Sequence, residues 1–144
     1  MWKEQEILDK ENQLALDTFI QKFGWPRISI FGEDVARIAW LIAQHADKNL
    51  TFQYKCLNLM KKLFRYNEIA LGNYAYLIDR VLINDCKEQL YGTQFSIIMD
   101  EKENFKSIEF KPISESHLVD KRRRYMNLPS LDFYRKTAKE RYEK

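Results

Sequence analysis

The chain is poor in the residues that break or staple structure. Its 144 residues hold four glycines, three prolines and two cysteines. So little glycine and proline argues against a loop-rich fold and for long regular elements. Cys56 and Cys86 are too few and too far apart for a disulfide framework or a zinc motif. No apolar run approaches the ~20 residues of a membrane-spanning helix. The start, Met1-Trp2-Lys3-Glu4-Gln5-Glu6, leads into no apolar signal core, so a cytoplasmic location is expected. There is no glycine-rich phosphate loop, no G-x-S-x-G and no H-E-x-x-H. No metal or cofactor is therefore expected. The net charge of +3 is small. Apart from Lys121-Arg122-Arg123-Arg124 the basic residues are dispersed, which disfavours a nucleic-acid partner.

What is present is apolar material. Hydrophobic residues make up 45% and aromatics 14% of the chain, enough for a packed core. No linker or internal repeat divides the sequence, so one domain over residues 1–144 is expected. The predicted class is mainly α, with about five to six helices and a small β-hairpin near residues 93–111.

Apolar spacing predicts a first helix from about Glu6 to Phe23, closed by Gly24, with Trp25-Pro26 forcing an extended exit. Arg27 to Phe31 reads as a short connector in extended form. A second helix runs from about Glu33 to Ala46, with Glu33 and Asp34 at the positive end of its dipole. Val35, Ile38, Ala39, Ile42 and His45 form its predicted core stripe. A third helix, capped by Asn49 or Thr51, reaches Phe64 and buries Phe52, Cys56, Leu59, Met60 and Leu63. A fourth ends at Asn84. The segments 93–99 and 106–111 are rich in β-formers around a polar turn and predict the hairpin. Helices over 119–125 and 131–142 close the chain.

The chemistry-bearing candidates are few. His45 ends an apolar helical run with Gln44 and Asp47 beside it. An imidazole titrates near neutral pH and suits acid–base work; a hydrogen-bonded core histidine is the plainer alternative. Asp47 can fold back toward His45 only if the helix stops there. Asp79-Arg80 interrupts an apolar, aromatic run and needs partners or water. Arg80 can line a pocket for an anion or belong to a structural ion pair. Tyr91-Gly92-Thr93-Gln94 offers a phenol, a hydroxyl and an amide in one turn, either to a ligand or to its own backbone. One arginine of the basic run, such as Arg123, can point inward while the others face water.

These landmarks occur in a fixed order: Gly24-Trp25-Pro26, Trp40-Leu41-Ile42 with Gln44-His45-Ala46-Asp47, Ala75-Tyr76-Leu77 with Asp79-Arg80-Val81, and Gln89-Leu90-Tyr91-Gly92-Thr93-Gln94. Val119-Asp120 before Arg122-Arg123, and Leu128-Pro129-Ser130-Leu131 before Tyr134, complete the set. In this the chain resembles an uncharacterised family of small bacterial domains carrying the Gln-His-Ala-Asp and Tyr-Gly-Thr-Gln signatures. It departs from the family pattern after Gln94, running into Phe95-Ser96-Ile97-Ile98 without a glycine turn. The resemblance implies that the polar landmarks are a family signature, and it brings no named reaction.

Two functional readings follow. In the first, a polar pocket around His45 binds or acts on a small anionic molecule without a metal. His45 and Asp47 are its catalytic residues, and Gln44, Arg80, Tyr91, Thr93, Gln94 and Arg123 hold the ligand. In the second, the chain is a non-catalytic ligand- or protein-binding module whose polar residues form a structural network. The first expects Arg80, Gln94 and Arg123 to converge on His45.

Overall fold

The computed structural model describes residues 2–143. Seven α-helices and one two-stranded antiparallel sheet are present among them, in a mainly α arrangement. None of the helices is long and apolar enough to cross a membrane. The chain forms two compact units, residues 1–77 and 78–144, with Met1 and Lys144 outside the described residues.

The first unit is helical. Helix α1 (Trp2–Phe23) ends where Gly24 takes a positive φ of 74° and returns its N–H to the Ile20 carbonyl. Residues 28–31 correct the sequence expectation. They form one helical turn, α2 (Ile28–Phe31), instead of an extended connector. The reason lies far along the chain. The Glu68 carboxylate accepts from the Ser29 N–H and hydroxyl at 3.0 and 2.6 Å, and its carbonyl accepts from the Ile28 N–H. These bonds satisfy the open N-terminus of the turn. Gly32, at φ 86°, closes α2 and opens the next helix, a conformation that a side chain would strain.

Helix α3 (Glu33–His45) is the hub of this unit, with α1, α2 and helix α4 (Leu50–Lys61) packed on it. Its buried face differs from expectation in part. Ala39 is buried as expected and Ile42 is half-buried, but Ala36 and Ala43 are buried too, whereas Val35 and Ile38 are 41% and 51% exposed and His45 is exposed. Small side chains let helix backbones approach closely, so α3 turns its alanine face inward and leaves its branched aliphatic face on the flank. Asn49 caps α4, accepting from the Phe52 N–H at 3.0 Å. Phe52, Cys56, Leu57 and Met60 then line the core.

Helix α5 (Leu71–Asn84) begins in the first unit and ends in the second. In the second unit, β1 (Phe95–Met99) pairs with β2 (Phe105–Phe110) from Phe95↔Phe110 to Met99↔Phe105, with a register shift after Ile98. The Asp100 carboxylate accepts from the Lys102 and Asn104 N–H groups at 2.8 and 2.9 Å and sets the turn. A lone hairpin is marginal in water. Here helix α7 (Leu131–Tyr142) supports it, packing against β2. Phe95 meets Phe110, Tyr134 and Tyr142 at ring distances of 5.9–6.2 Å. Helix α6 (Val119–Tyr125) precedes α7, and the Asp120 carboxylate accepts from the Leu131 N–H at the start of α7.

Candidate functional site

The polar landmarks of the second unit gather around one loop. Asp79 projects from α5 and is fully buried. One of its carboxylate oxygens accepts from the Leu90 and Tyr91 N–H groups at 2.8 and 3.0 Å. The other accepts from the Thr93 N–H and hydroxyl, both at 2.9 Å. Burial pushes the carboxyl above its ordinary value, and the donors of Thr93, Leu90 and Tyr91 pull the other way. Every one of these partners is a donor, so each needs an acceptor oxygen from Asp79.

Arg123 meets the same loop from α6. It is 1% exposed. Its Nη1 donates to the Tyr91 carbonyl at 2.7 Å and its Nε to the Pro129 carbonyl at 2.6 Å. The guanidinium lies over the Tyr134 ring, 4.9 Å from its centroid, and the Tyr134 hydroxyl donates to the Thr93 carbonyl at 3.1 Å. Arginine is the residue suited to several carbonyls at once, because its planar fork presents fixed donors. Of the four consecutive basic residues, Arg123 is the one that turns inward and is buried.

Gln89 completes the network, although composition and spacing do not single it out as a site residue. It is fully buried. Its amide oxygen accepts from the Gln94 N–H, and its amide nitrogen donates to the Gln94 and Lys111 carbonyls, all at 2.8–2.9 Å. It therefore ties the entry of β1 to the exit of β2. The Gln94 side chain donates to the Thr93 hydroxyl at 3.0 Å. Gly92 sits at the centre with φ 66°, and a Cβ there would lie 2.8 Å from Leu131 and 3.0 Å from Ile113. Arg80, the neighbour of Asp79, is half-buried on α5.

The landmarks of the first unit are arranged differently. Gln44 is buried on α3, and its Oε1 has no donor among the described residues. His45 is exposed at the end of the helix, so it is not the core histidine that its register predicted. It lines a cleft of about 250 Å³ with Glu6, Asp9, Lys10, Asp47 and Lys48. Lys48 pairs with Glu6 across that cleft. Helix α3 stops at His45, with Ala46 as its C-cap, and this frees Asp47 from helical geometry. Asp47 accepts from Gln53 Nε2 at 3.4 Å. Gln53 itself is fully buried and donates to the Ala43 carbonyl at 3.0 Å, satisfying the end of α3. Its sequence signal was an amide flanked by Phe52 and Tyr54 inside an apolar stripe. Among the described residues no group of three or more His, Cys, Asp or Glu side chains is placed to hold a metal ion.

The structure thus brings Asp79, Tyr91, Thr93, Gln94 and Arg123 together in the second unit, and Gln44, His45 and Asp47 together at the end of α3 in the first. Neither the curated proteins nor the solved structures yield a match to this chain. Its sequence does match the family of unknown function DUF6624 over residues 3–144, and the chain belongs to that family.

Proposed function

We propose that the domain is a non-catalytic ligand- or protein-binding module, in which Asp79, Gln89, Thr93 and Arg123 form a structural clasp. The observation that carries this reading is the double hold on one loop: Asp79 takes its N–H groups and Arg123 takes its carbonyls. A carboxylate surrounded by main-chain donors is poorly available as a base. A guanidinium spent on carbonyls is poorly available to an anion. We place the module in the cytoplasm on the same footing, since both cysteines are free.

Thermal unfolding of Asp79→Asn and His45→Ala tests the clasp. The asparagine amide turns one acceptor into a donor facing N–H groups, at an expected cost of about 2–4 kcal/mol. His45→Ala is expected to leave stability unchanged. An Asp79→Asn protein as stable as the parent would overturn the reading, because the carboxylate would then be kept for chemistry.

A second reading rests on the exposure of His45 in its cleft. In it, His45 and Asp47 act on a small anionic ligand, with Gln44 beside them at the end of α3. The charges nearest His45 weigh against it, since Glu6, Asp9 and Asp47 outnumber Lys10 and Lys48. Titration with inorganic phosphate decides. A saturable shift of the His45 ring signals that is lost in Lys10→Gln supports this reading, and the absence of a shift removes it.

A further inference from the structure

We propose that the first unit carries a small-molecule site for an apolar monocarboxylate, walled by Trp25 and Trp40. This site would supply the ligand of the binding module described above. Its cleft has a volume of about 380 Å³, within the range of roughly 300–1,000 Å³ typical of small-molecule sites. Trp25, Ala36, Trp40, Met60 and Ile69 make the apolar wall. Two of the chain's three tryptophans therefore meet in one place. Both belong to sequence landmarks, Gly24-Trp25-Pro26 and Trp40-Leu41-Ile42, that the clasp leaves unused. The alanine at position 36 keeps the space open, since it faces the cleft from the small side of α3.

The polar side of the cleft is rich in donors. Arg37 and Asn73 line it. Trp40 holds its indole N–H buried with no acceptor among the described residues. That N–H is closed off from the cleft, so the donors the cleft itself offers are the Arg37 guanidinium and the Asn73 amide. A carboxylate supplies acceptors and also matches the Arg37 guanidinium. Glu33, one helical turn before Arg37, lies on the same side. Neither Glu33 nor Arg37 enters an ion pair among the described residues. The negative charge of Glu33 disfavours a second anionic group on the ligand. The ligand class is therefore a monoanion with a compact aromatic or branched body.

The full chain, labelled with nitrogen-15, allows a direct test with 3-phenylpropionate as the probe. The indole N–H signals of Trp25 and Trp40 report the cleft, and Trp2, 84% exposed and absent from the cleft lining, serves as the internal control. The expected result is a saturable shift of Trp25 and Trp40 by about 10 mM probe, with Trp2 unmoved. Arg37→Gln is expected to weaken binding roughly tenfold or more, and the amide and the benzylmalonate dianion to bind at least that much more weakly. Arg37 is exposed, so this variant keeps the fold intact. The proposal is overturned if the carboxylate produces no saturable shift, or if the neutral amide binds equally well. It is also overturned if Arg37→Gln binds as the parent does, or if 3-phenylpropylamine binds more tightly, which would mark an aromatic cage for cations. Stability of Asp79→Asn reads the second unit alone, so the clasp and the cleft stand or fall separately.

Discussion

Tyr91 is held through both ends of its backbone by opposite charges: its N–H donates to Asp79 at 3.0 Å and its carbonyl accepts from Arg123 at 2.7 Å. The two buried charges do not need to touch. The polarised loop backbone between them compensates each, and their burial fixes the loop between α5 and β1. Such an arrangement stabilises only while every member is satisfied, because a half-satisfied buried network is worse than an apolar core.

Arg123→Lys is expected to destabilise despite keeping the charge. A lysine ammonium cannot reproduce the Nε and Nη1 bonds to Pro129 and Tyr91 together, nor the flat contact with Tyr134. A loss of about 1–3 kcal/mol in urea unfolding is the expected outcome.

Gly92→Ala and Gly24→Ala separate two costs. Both positions have positive φ, so both variants carry the strain of a left-handed alanine, about 1–2 kcal/mol. At Gly24 an added Cβ meets nothing within 4 Å, whereas at Gly92 it lies 2.8 Å from Leu131. Gly92→Ala is therefore expected to be the more destabilising, by a further 1 kcal/mol or about that amount. Paired denaturation curves check the order.

The Glu68 cap of α2 gives stability an acid-side dependence. The Ser29 hydroxyl and N–H hold the Glu68 carboxyl below its ordinary value. A depressed folded value means that the contribution is fully present above the unfolded value of 4.5 and is lost as pH falls through the folded one. The Asp100 turn acts with the same sign, its carboxyl lowered chiefly by the Asn104 N–H. The stability difference between the parent and Glu68→Gln should be constant near neutral pH and shrink below that window. Urea midpoints measured down the acid limb give the comparison.

The two thiols should differ in reactivity. Burial pushes Cys56 up to about 12, so it stays a neutral thiol, whereas Cys86 is exposed. A thiol reagent at about pH 8 is expected to label one cysteine quickly and the second only on unfolding. Fast labelling of Cys56 in the native protein would show that the α4 core opens.

Much of this was legible in the chain. The two closing helices, 119–125 and 131–142, carry their own signals: Ser130 caps α7 through the Phe133 N–H, and period-two patterning marks β2. The α4 stripe, with Asn49 as its cap, is also local information. The errors came where the deciding partner is distant. Arg27 to Phe31 reads as extended until Glu68, 39 residues from Ser29, caps it. The α3 stripe was right at Ala39 but wrong at Val35, Ile38 and His45, because bulk favours the branched residues, whereas helix packing rewarded the flat alanine face.

Sequence by itself determined the mainly α class, most helix positions, the hairpin and the set of polar landmarks, because periodicity, caps and turn residues act over a few positions. Only the tertiary structure decided what the landmarks do. It buried Asp79, Gln89 and Arg123 around the Tyr91–Gln94 loop and left His45 exposed. Whether a charge or an imidazole serves structure or solvent depends on which backbone groups reach it, and those groups arrive from remote parts of the chain.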